Sequence, residues 1–558
     1  MNYKDYYNEW LNSSVFDDDT KKELLQLENN QDEIEDRFFK DLDFGTGGVR
    51  ALMGAGRNRL NRYTVRRITF GYGKYLLNEF GKNMVKQRGV VIAYDMRHNS
   101  KSFAEDICQI LDLLNIPTFI FDKITPTPEL SFAVTHLNAI GGIVITASHN
   151  PPSYNGYKIY DENGCQVIPS IANKIKEFID GVDSYDFPKK LDSKNSNMIW
   201  LDESIDKAFI DKQKESLINP NIIKKMSDKI KILYTPLHGS GKVTILRGLE
   251  EVGFKQIYTV KEQLAEDPDF KTVNSPNPEE FSAFKLALEE ANLNDVDLIM
   301  ATDPDADRIG VVVKNNKEYI SLSGNQIGAL LIQYILENSR ELERKKSPYI
   351  CTTIVTSDLG AKIARNFNVE TIYTLTGFKY IGNKIKEMYQ HQDFIMGYEE
   401  SFGFLLNNVA RDKDAVGSSI IISEMTAYYL DKGKTLIDKL NEIYIKYGYH
   451  KEKLISKKYL GIEGMNKINE IMNSFRLIEN SSEKLGIDRV DDYLNGIFNL
   501  PASDVVKITL DTGSWFAVRP SGTEPKVKFY LNAVGENELQ ADHEILRMEN
   551  IISTINKS

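Results

Sequence analysis

Four polar stretches of the chain hold residues whose types and spacing could support catalysis or binding. In VITASHNPPSYNGYK (144–158), an apolar segment runs into Ser148, and the chain then meets Pro151 and Pro152. Because proline fixes the backbone, the hydroxyl of this serine would be held in one place in a surface loop. That placement suits a nucleophile. A turn without chemistry would show the same pattern, so the other motifs must decide.

The stretch DPDADRIG (303–310) places three aspartates at alternate positions directly after an apolar run. Asp303, Asp305 and Asp307 could therefore converge on one side of a loop. Three hard oxygen ligands that leave room for a phosphate oxygen suit Mg²⁺. The spacing predicts a magnesium site.

Two other interpretations of the aspartate stretch are excluded by the residues at the positions that they require. A calcium EF-hand loop beginning at Asp303 would need glycine sixth and glutamate twelfth, where the chain has Arg308 and Lys314. A phosphatase with an aspartyl nucleophile would carry threonine or valine where the chain has Asp307. A solvated acidic turn remains the alternative without function.

The stretch RPSGTEPKVKFY (519–530) has the composition of a phosphate cradle. Arg519 offers a guanidinium fork, Ser521 and Thr523 offer hydroxyls, and Gly522 exposes backbone N–H groups. Taken alone, the same letters could form a β-turn with incidental polar residues.

The stretch GYEESFGF (397–404) supplies groups that suit sugar hydroxyls. Glu399 is a hydrogen-bond acceptor, and Ser401 can both donate and accept. Lys379 in TGFKY and Lys413 in ARDKDAV are candidate partners for a substrate anion. Most lysines lie on solvated faces, so these two count only in company with the other motifs.

The remaining candidates are Arg50 and His149. The glycine-rich stretch DFGTGGVRALMGAG (43–56) is not G-x-G-x-x-G after a strand, so we reject a dinucleotide site and expect Arg50 to reach a cleft. Ser148 and His149 could suggest a hydrolase, but the chain lacks the G-x-S-x-G elbow. A serine that faces a Mg²⁺ site instead suggests a serine that carries phosphate.

Bulk composition is that of a water-soluble protein with several domains. The chain has 558 residues, 41% hydrophobic and 27% charged, with a net charge of −11, which argues against a nucleic-acid partner. Cys108, Cys165 and Cys351 form no C-x-x-C pair, as expected in a reducing cytosol. The polar start and the lack of a long apolar run predict a cytoplasmic protein without a membrane segment.

A repeated unit must position these motifs. Near-continuous apolar runs, typical of buried strands, recur in three sets of three: 88–95, 116–122 and 141–148; 229–236, 254–260 and 296–303; 349–357, 369–376 and 392–399. The third run of each set leads into one of the polar loops. The pattern predicts three similar α/β domains with mixed, mainly parallel sheets.

The two ends of the chain differ from this repeat. Alternating residues in 504–534 predict a smaller C-terminal α+β domain, and acidic helices are expected before the first domain. The predicted boundaries are 1–205, 206–316, 317–450 and 451–558.

Together the four motifs resemble the α-D-phosphohexomutase superfamily, most closely its bacterial phosphoglucomutase branch, in family order and across nearly the whole chain. TASHNPPSYNGYK is similar to the phosphoserine loop, DPDADR to the metal loop, GYEESFGF to the sugar loop and RPSGTEPK to the phosphate loop. The resemblance implies four domains around a central cleft and a phosphate on Ser148. It also implies one Mg²⁺ held by Asp303, Asp305, Asp307 and the modified Ser148.

The activity implied by the resemblance is the interconversion of α-D-glucose 1-phosphate and glucose 6-phosphate through glucose 1,6-bisphosphate, with sugar phosphates as partners. The sequence leaves the oligomeric state open, and a monomer is the expectation. His149, Lys158 and Arg50 are candidates for proton transfer and charge stabilisation. The usual G-E-x-S-G of the sugar loop is loosened around Glu399 and Ser401. Phosphopentomutase, phosphomannomutase and glucose 1,6-bisphosphate synthase therefore stay open, as does a catalytically silent sugar-phosphate-binding protein.

Overall fold

The computed structural model describes residues 2–45, 47–187, 197–339, 346–459, 461–478, 485–520 and 526–555. The chain begins with three short helices: α1 (Tyr3–Asn12), α2 (Asp18–Leu25) and α3 (Gln31–Phe38). The side chains of Asn2, Asp17 and Asn30 cap their N-termini by accepting backbone N–H bonds. Trp10 is fully buried among aromatic rings between these helices and the first domain. The expected acidic helices are confirmed.

The first domain has a six-stranded sheet. Its elements are α4 (Arg62–Phe80), α5 (Lys82–Arg88), α6 (Ser100–Leu113), α7 (Thr127–His136), α8 (Pro169–Asp180), β1 (Gly48–Leu52), β2 (Val90–Tyr94), β3 (Thr118–Phe121), β4 (Gly141–Ile145), β5 (Tyr154–Tyr160) and β6 (Met198–Leu201). The strand order is β1-β5-β4-β2-β3-β6. Strands β2 and β4 are buried along their whole length, which explains their unbroken apolar sequence.

The second and third domains repeat this plan. The second contains α9 (Glu203–Lys214), α10 (Pro220–Met226), α11 (Gly241–Val252), α12 (Lys285–Asn294), β7 (Lys231–Thr235), β8 (Gln256–Thr259), β9 (Leu298–Thr302), β10 (Ile309–Asn315) and β11 (Glu318–Leu322). The third contains α13 (Gly324–Asn338), α14 (Leu359–Asn366), α15 (Phe378–Met388), α16 (Ala415–Asp431), α17 (Leu436–Tyr447), β12 (Pro348–Thr353), β13 (Glu370–Thr374), β14 (Asp393–Glu399) and β15 (Gly403–Leu405).

All nine apolar runs form strands, and the three sets have the same pairing. The first strand of each set lies between the other two, parallel to both, and the third then pairs with an antiparallel strand. The predicted three-fold repeat of mixed, mainly parallel sheets is confirmed. Because the third strands β4, β9 and β14 occupy equivalent positions, the loops that follow them can meet at one cleft.

Two features of these sheets depend on long-range pairing. Residues 48–52 of the glycine-rich stretch form β1, antiparallel to β5. A side chain at Gly48 would come within 2.2 Å of the carbonyl oxygen of Tyr157, and its φ of +147° also favours glycine. Strand β11 pairs with β10, so the second sheet continues past the predicted boundary at 316 to Leu322.

The fourth domain is an antiparallel sheet of order β16-β20-β19-β18-β17, packed against two helices. Its elements are β16 (Tyr449–Lys458), α18 (Gly461–Arg476), β17 (Ile487–Asp492), β18 (Val506–Leu510), β19 (Trp515–Pro520), β20 (Lys526–Gly535) and α19 (Glu538–Ile555). Its core includes Phe475, Phe516 and Phe529. The predicted C-terminal α+β domain is confirmed. Within the described ranges, no helix combines the length and apolarity needed to cross a membrane.

Candidate active site

The serine loop holds Ser148 in a buried position facing the second domain. Strand β4 ends at Ile145, and Ser148 follows with a φ of +52°, in the left-handed region that is uncommon for serine. Its N–H donates to the Thr146 hydroxyl at 2.9 Å. Its own hydroxyl donates to Asp303 Oδ2 at 2.5 Å, and His149 Nδ1 lies 3.1 Å from the same Oγ. With only 1% of its surface exposed, Ser148 faces a carboxylate rather than solvent.

Arg97 braces this loop and was not found by sequence reasoning. Its guanidinium donates to the carbonyl oxygens of Ser148 at 2.6 Å, Asn150 at 2.5 Å and Pro151 at 2.8 Å. Asp95 pairs with Arg97 at 3.3 Å, and both side chains are fully buried. An Asp-x-Arg immediately after β2, at the same sheet edge as Ser148, was the available signal. The strained serine is thus fixed by a buried cation.

Asp305 and Asp307 each have one oxygen held by neighbouring donors and one oxygen without a hydrogen bond; for Asp307 the second oxygen lies 3.9 Å from Arg308 Nε. Asp305 Oδ2 accepts from Lys158 Nζ at 2.7 Å and from the Thr127 hydroxyl at 2.8 Å. Asp307 Oδ2 lies 3.0 Å from Lys413 Nζ and 3.4 Å from Lys158 Nζ. Within the described part of the chain, neither Oδ1 atom has a hydrogen-bond partner, although both are buried. Orphaned carboxylate oxygens of this kind are free to hold a cation.

Asp303 completes the cluster. Its Oδ1 accepts from the backbone N–H groups of Arg308 at 3.0 Å and Asp307 at 3.2 Å, while Oδ2 faces Ser148. One oxygen from each of the three aspartates lies within 4.8 Å of the others. All three residues are at most 2% exposed. The donor set is hard and anionic and converges as the sequence predicted, so it fits a divalent cation such as Mg²⁺.

The surroundings shift the pKa values of Asp303 and Asp307 in opposite directions. Burial and the negative charges of Asp307 and Asp305 raise the pKa of Asp303 well above its ordinary value. For Asp307, burial acts in the same direction, but Lys413, Lys158 and Arg308 outweigh it and lower the pKa. A bound cation would relieve the repulsion that acts on Asp303.

His149, Lys158 and Arg50 lie around the serine and the aspartates. His149 also lines the cleft, and burial together with the charges of Arg308 and Arg50 lowers its pKa well below the ordinary histidine value. Burial disfavours the charged form of Lys158, yet the negative charges of Asp305 and Asp307 raise its pKa. Arg50 Nη1 donates to Asn150 Oδ1 at 3.0 Å, so it touches the serine loop. The structure brings all three candidates to the site, and the two pKa shifts favour a neutral imidazole on His149 and a charged amine on Lys158.

The sugar loop lies on the other side of the cleft. Glu399 ends β14, is 4% exposed and accepts from the Gly377 N–H at 2.7 Å. Glu399, Ser401 and Arg519 line a cavity of about 650 Å³ together with His149. This volume suits a phosphorylated sugar. Lys413 lines the same cavity, but its ammonium pairs with Asp307, which links the sugar loop side to the aspartates.

A positively charged wall closes the cavity from the fourth domain. Arg519 and Lys528 are paired residues on neighbouring strands β19 and β20, and both line the cavity. Lys379, on α15 of the third domain, is not among the residues that line the cavity. Burial and the nearby charge of Arg519 lower its pKa to about 8. Lys528 was missed by sequence reasoning, because its position beside Arg519 depends on the pairing of β20 with β19. The predicted cradle residues Ser521, Gly522 and Thr523 lie outside the described residues.

The repeated domains, the fourth antiparallel domain and the buried serine on a carboxylate cluster define a four-domain α/β enzyme built around one cleft. Comparison with protein families gives the particular family. Models described as phosphoglucomutase/phosphomannomutase α/β/α domains I, II and III match residues 41–186, 207–317 and 323–447, and the C-terminal domain model matches 476–544. The chain belongs to the phosphoglucomutase/phosphomannomutase family, which confirms the resemblance seen in the four motifs.

Similar proteins agree over most of their length. A phosphoglucomutase of Staphylococcus haemolyticus (strain JCSC1435) is 37% identical over 530 residues, covering 92% of this chain and 94% of the relative. One from Staphylococcus aureus (strain USA300) is 36% identical over 520 residues, covering 90% and 92%. Among solved structures, the Paramecium phosphoglucomutase pp63/parafusin in its open form superposes with a TM-score of 0.72 at 16% identity, covering 93% of this chain and 95% of that one. A family protein from Burkholderia thailandensis gives 0.65 at 16% identity, with coverage of 92% and 97%. Both structures share the fold.

Proposed function

We propose that the protein is a phosphoglucomutase, an isomerase-class phosphotransferase that interconverts α-D-glucose 1-phosphate and glucose 6-phosphate. The observation that carries the proposal is the Ser148 hydroxyl, buried and hydrogen-bonded to a cluster of three aspartates. A serine so placed suits a phosphoryl carrier beside a divalent cation. Relatives of similar length named phosphoglucomutase support the choice of substrate.

In the first half-reaction, Ser148 carries the phosphoryl group and the C6 hydroxyl of bound glucose 1-phosphate attacks its phosphorus. The new P–O6 bond forms as the P–Oγ bond breaks, which yields glucose 1,6-bisphosphate and the free serine. The O6 proton is transferred to the serine oxygen as that oxygen leaves. Free glucose 1,6-bisphosphate would load the serine by the same exchange.

In the second half-reaction, the bisphosphate has turned over and Ser148 Oγ attacks the 1-phosphate. The P–Oγ bond forms, the bond to O1 breaks, and glucose 6-phosphate leaves with a proton on O1. Two acceptors lie within reach of the serine proton, Asp303 Oδ2 at 2.5 Å and His149 Nδ1 at 3.1 Å. We assign the proton to His149, since the carboxylate of Asp303 belongs to the metal cluster. His149 would then give this proton to O1 as the bond between phosphorus and O1 breaks.

We propose Asp303, Asp305, Asp307 and the phosphate on Ser148 as the groups that hold one Mg²⁺. When bound, this ion would offset phosphoserine charge and stabilise the transferring phosphoryl group. Lys158 and Lys413 orient the carboxylates through the contacts described above. Arg97 fixes the loop that presents the serine.

Residues of the third and fourth domains, across the cavity from Ser148, would position the substrate. Glu399 and Ser401 would bind sugar hydroxyls, and Arg519, Lys379 and Lys528 would hold the phosphate that is not reacting. Ser521, Gly522 and Thr523 are proposed for the same phosphate on the family resemblance. Because the sugar turns over between half-reactions, one cradle would serve both the 1-phosphate and the 6-phosphate.

A substrate panel tests the proposal. The full chain would be incubated with Mg²⁺, a trace of glucose 1,6-bisphosphate, and the 1-phosphates of glucose, mannose or ribose, and the 6- or 5-phosphate products would be measured. We expect the highest kcat/KM with glucose 1-phosphate and an intact mass that includes one extra phosphate. A preference for mannose or ribose would replace the substrate but keep the chemistry. No turnover and no phosphorylation of Ser148 with any sugar would leave a silent binding protein and overturn the proposal.

The lowered pKa of Lys379 predicts a pH dependence of substrate binding. Below pH 8 its ammonium is charged and attracts the substrate phosphate, and above pH 8 it becomes neutral. We therefore expect kcat/KM to fall as pH rises through about 8. A guanidinium stays charged in this range, so Lys379→Arg should flatten that part of the profile.

The control for this pH profile is Lys386→Arg, on the same helix α15 but paired with Asp161 away from the cavity. Its pH profile should match that of the wild type. If Lys379→Arg retains the full decline above pH 8, the titrating group is not Lys379.

A further inference from the structure

We propose that Thr127, in the first domain, is a positioning residue for the metal site, which sets the orientation of Asp305 in the second domain. The inference depends on one part of the proposed function, namely that the aspartate cluster binds a divalent cation. No sequence motif named above includes Thr127, and its role comes from contacts across the domain boundary.

Thr127 holds Asp305 at two points. Its hydroxyl donates to Asp305 Oδ2 at 2.8 Å, and its backbone N–H donates to the Asp305 carbonyl oxygen at 2.9 Å. These bonds join residues 178 positions apart. They fix both the main chain and the carboxylate plane of a single aspartate.

The consequence concerns the other oxygen of Asp305. With Oδ2 occupied by the Thr127 hydroxyl and the Lys158 ammonium, the carboxylate cannot turn without losing both bonds. Oδ1 is thereby left buried and without a hydrogen-bond partner among the described residues. It is the oxygen of Asp305 that remains available to a cation at the aspartate cluster. A bond that pre-orients a ligand oxygen raises metal affinity, because less ordering is required on binding.

Thr127 is itself rigidly placed. It is 0% exposed and is the first residue of α7, between Pro126 and Pro128. Two prolines restrict the backbone on either side, and the helix fixes the residues that follow. The hydroxyl that donates to Asp305 is therefore held in a fixed position.

The decisive variant is Thr127→Val, which keeps the shape and the backbone N–H but removes the hydroxyl. Binding of Mg²⁺ alone to the full dephosphorylated chain would be measured by titration calorimetry, without any sugar phosphate. We expect the dissociation constant for Mg²⁺ to rise about 10- to 100-fold, the usual cost of losing a hydrogen bond to a metal ligand. Thr127→Ser, which restores the hydroxyl, should recover most of the affinity.

Thr125→Val is the matched control. Thr125 is equally buried, two residues away, and its hydroxyl donates to the carbonyl oxygen of Lys123 at 3.0 Å instead of to the metal loop. This variant should lose comparable thermal stability but bind Mg²⁺ as the wild type does. Wild-type affinity in a folded Thr127→Val variant, or an equal loss in Thr125→Val, would overturn the inference. If Thr127→Val does not fold, Thr127→Ala is measured against the same control.

The result separates this inference from the proposed function. A wild-type chain that binds no Mg²⁺ would contradict the metal site and with it the role of Thr127. A chain that binds Mg²⁺ with the expected dependence on Thr127, yet converts no sugar phosphate, would retain the inference and overturn the proposed substrate.

Discussion

Replacing Ser148 with alanine is expected to lower mutase turnover by several orders of magnitude, because no other group would then carry the phosphoryl between half-reactions. The fold should persist. The variant loses one hydrogen bond to Asp303 and leaves a buried oxygen with one fewer donor, at a cost of about 1–3 kcal/mol. Turnover, thermal unfolding and intact mass after incubation with glucose 1,6-bisphosphate would be measured together. The extra phosphate seen on the wild type should be absent.

Ser153→Ala is the control for this experiment. Ser153 is an exposed serine of the same loop, outside the carboxylate cluster. It should retain turnover and phosphorylation. A folded Ser148→Ala variant with near-wild-type turnover, or one that still takes up a single phosphate, would show that the carrier is elsewhere.

The second large effect is expected for Asp305→Asn. An amide is a poorer ligand than a carboxylate for a hard cation, and the change removes the negative charge that pairs with Lys158. We expect Mg²⁺ affinity to fall by more than about a hundredfold, beyond the usual cost of losing a hydrogen bond to a ligand. Turnover at fixed Mg²⁺ should fall with it and recover in part when Mg²⁺ is raised.

Asp295→Asn is the matched change for this experiment. Asp295 is exposed in the same domain and adopts a left-handed backbone, which asparagine tolerates. Its Mg²⁺ dependence should equal that of the wild type. For the wild-type enzyme, EDTA should abolish turnover and added Mg²⁺ should restore it. Full activity after exhaustive chelation would refute the metal assignment.

The burial of Ser148 has a consequence for catalysis. Its hydroxyl is nearly inaccessible and faces Asp303, while His149 beside it forms part of the cavity wall. A phosphoryl group on Ser148 would therefore lie between the cluster and the cavity, shielded from water on the protein side. Such shielding would favour transfer to a sugar hydroxyl over hydrolysis.

The sequence by itself determined the repeated domains and the identity of the main motifs. Strands buried on both faces must be apolar along their whole length, so runs such as 141–148 and 296–303 reveal β4 and β9 without any tertiary information. Alternate spacing in a short loop likewise made the convergence of Asp303, Asp305 and Asp307 predictable, since it depends only on local geometry.

The tertiary structure alone decided how the motifs meet and which residues support them. The bond between Ser148 and Asp303 spans 155 positions. Arg97 and Thr127 act through contacts with distant loops, and an arginine in a loop or a threonine at the start of a helix has no periodicity that marks such a role. Strand β1 also needed β5 as a partner, because a glycine-rich segment has little strand propensity of its own. Local patterns report burial and backbone geometry, but the partners of a polar side chain are fixed only when the domains pack together.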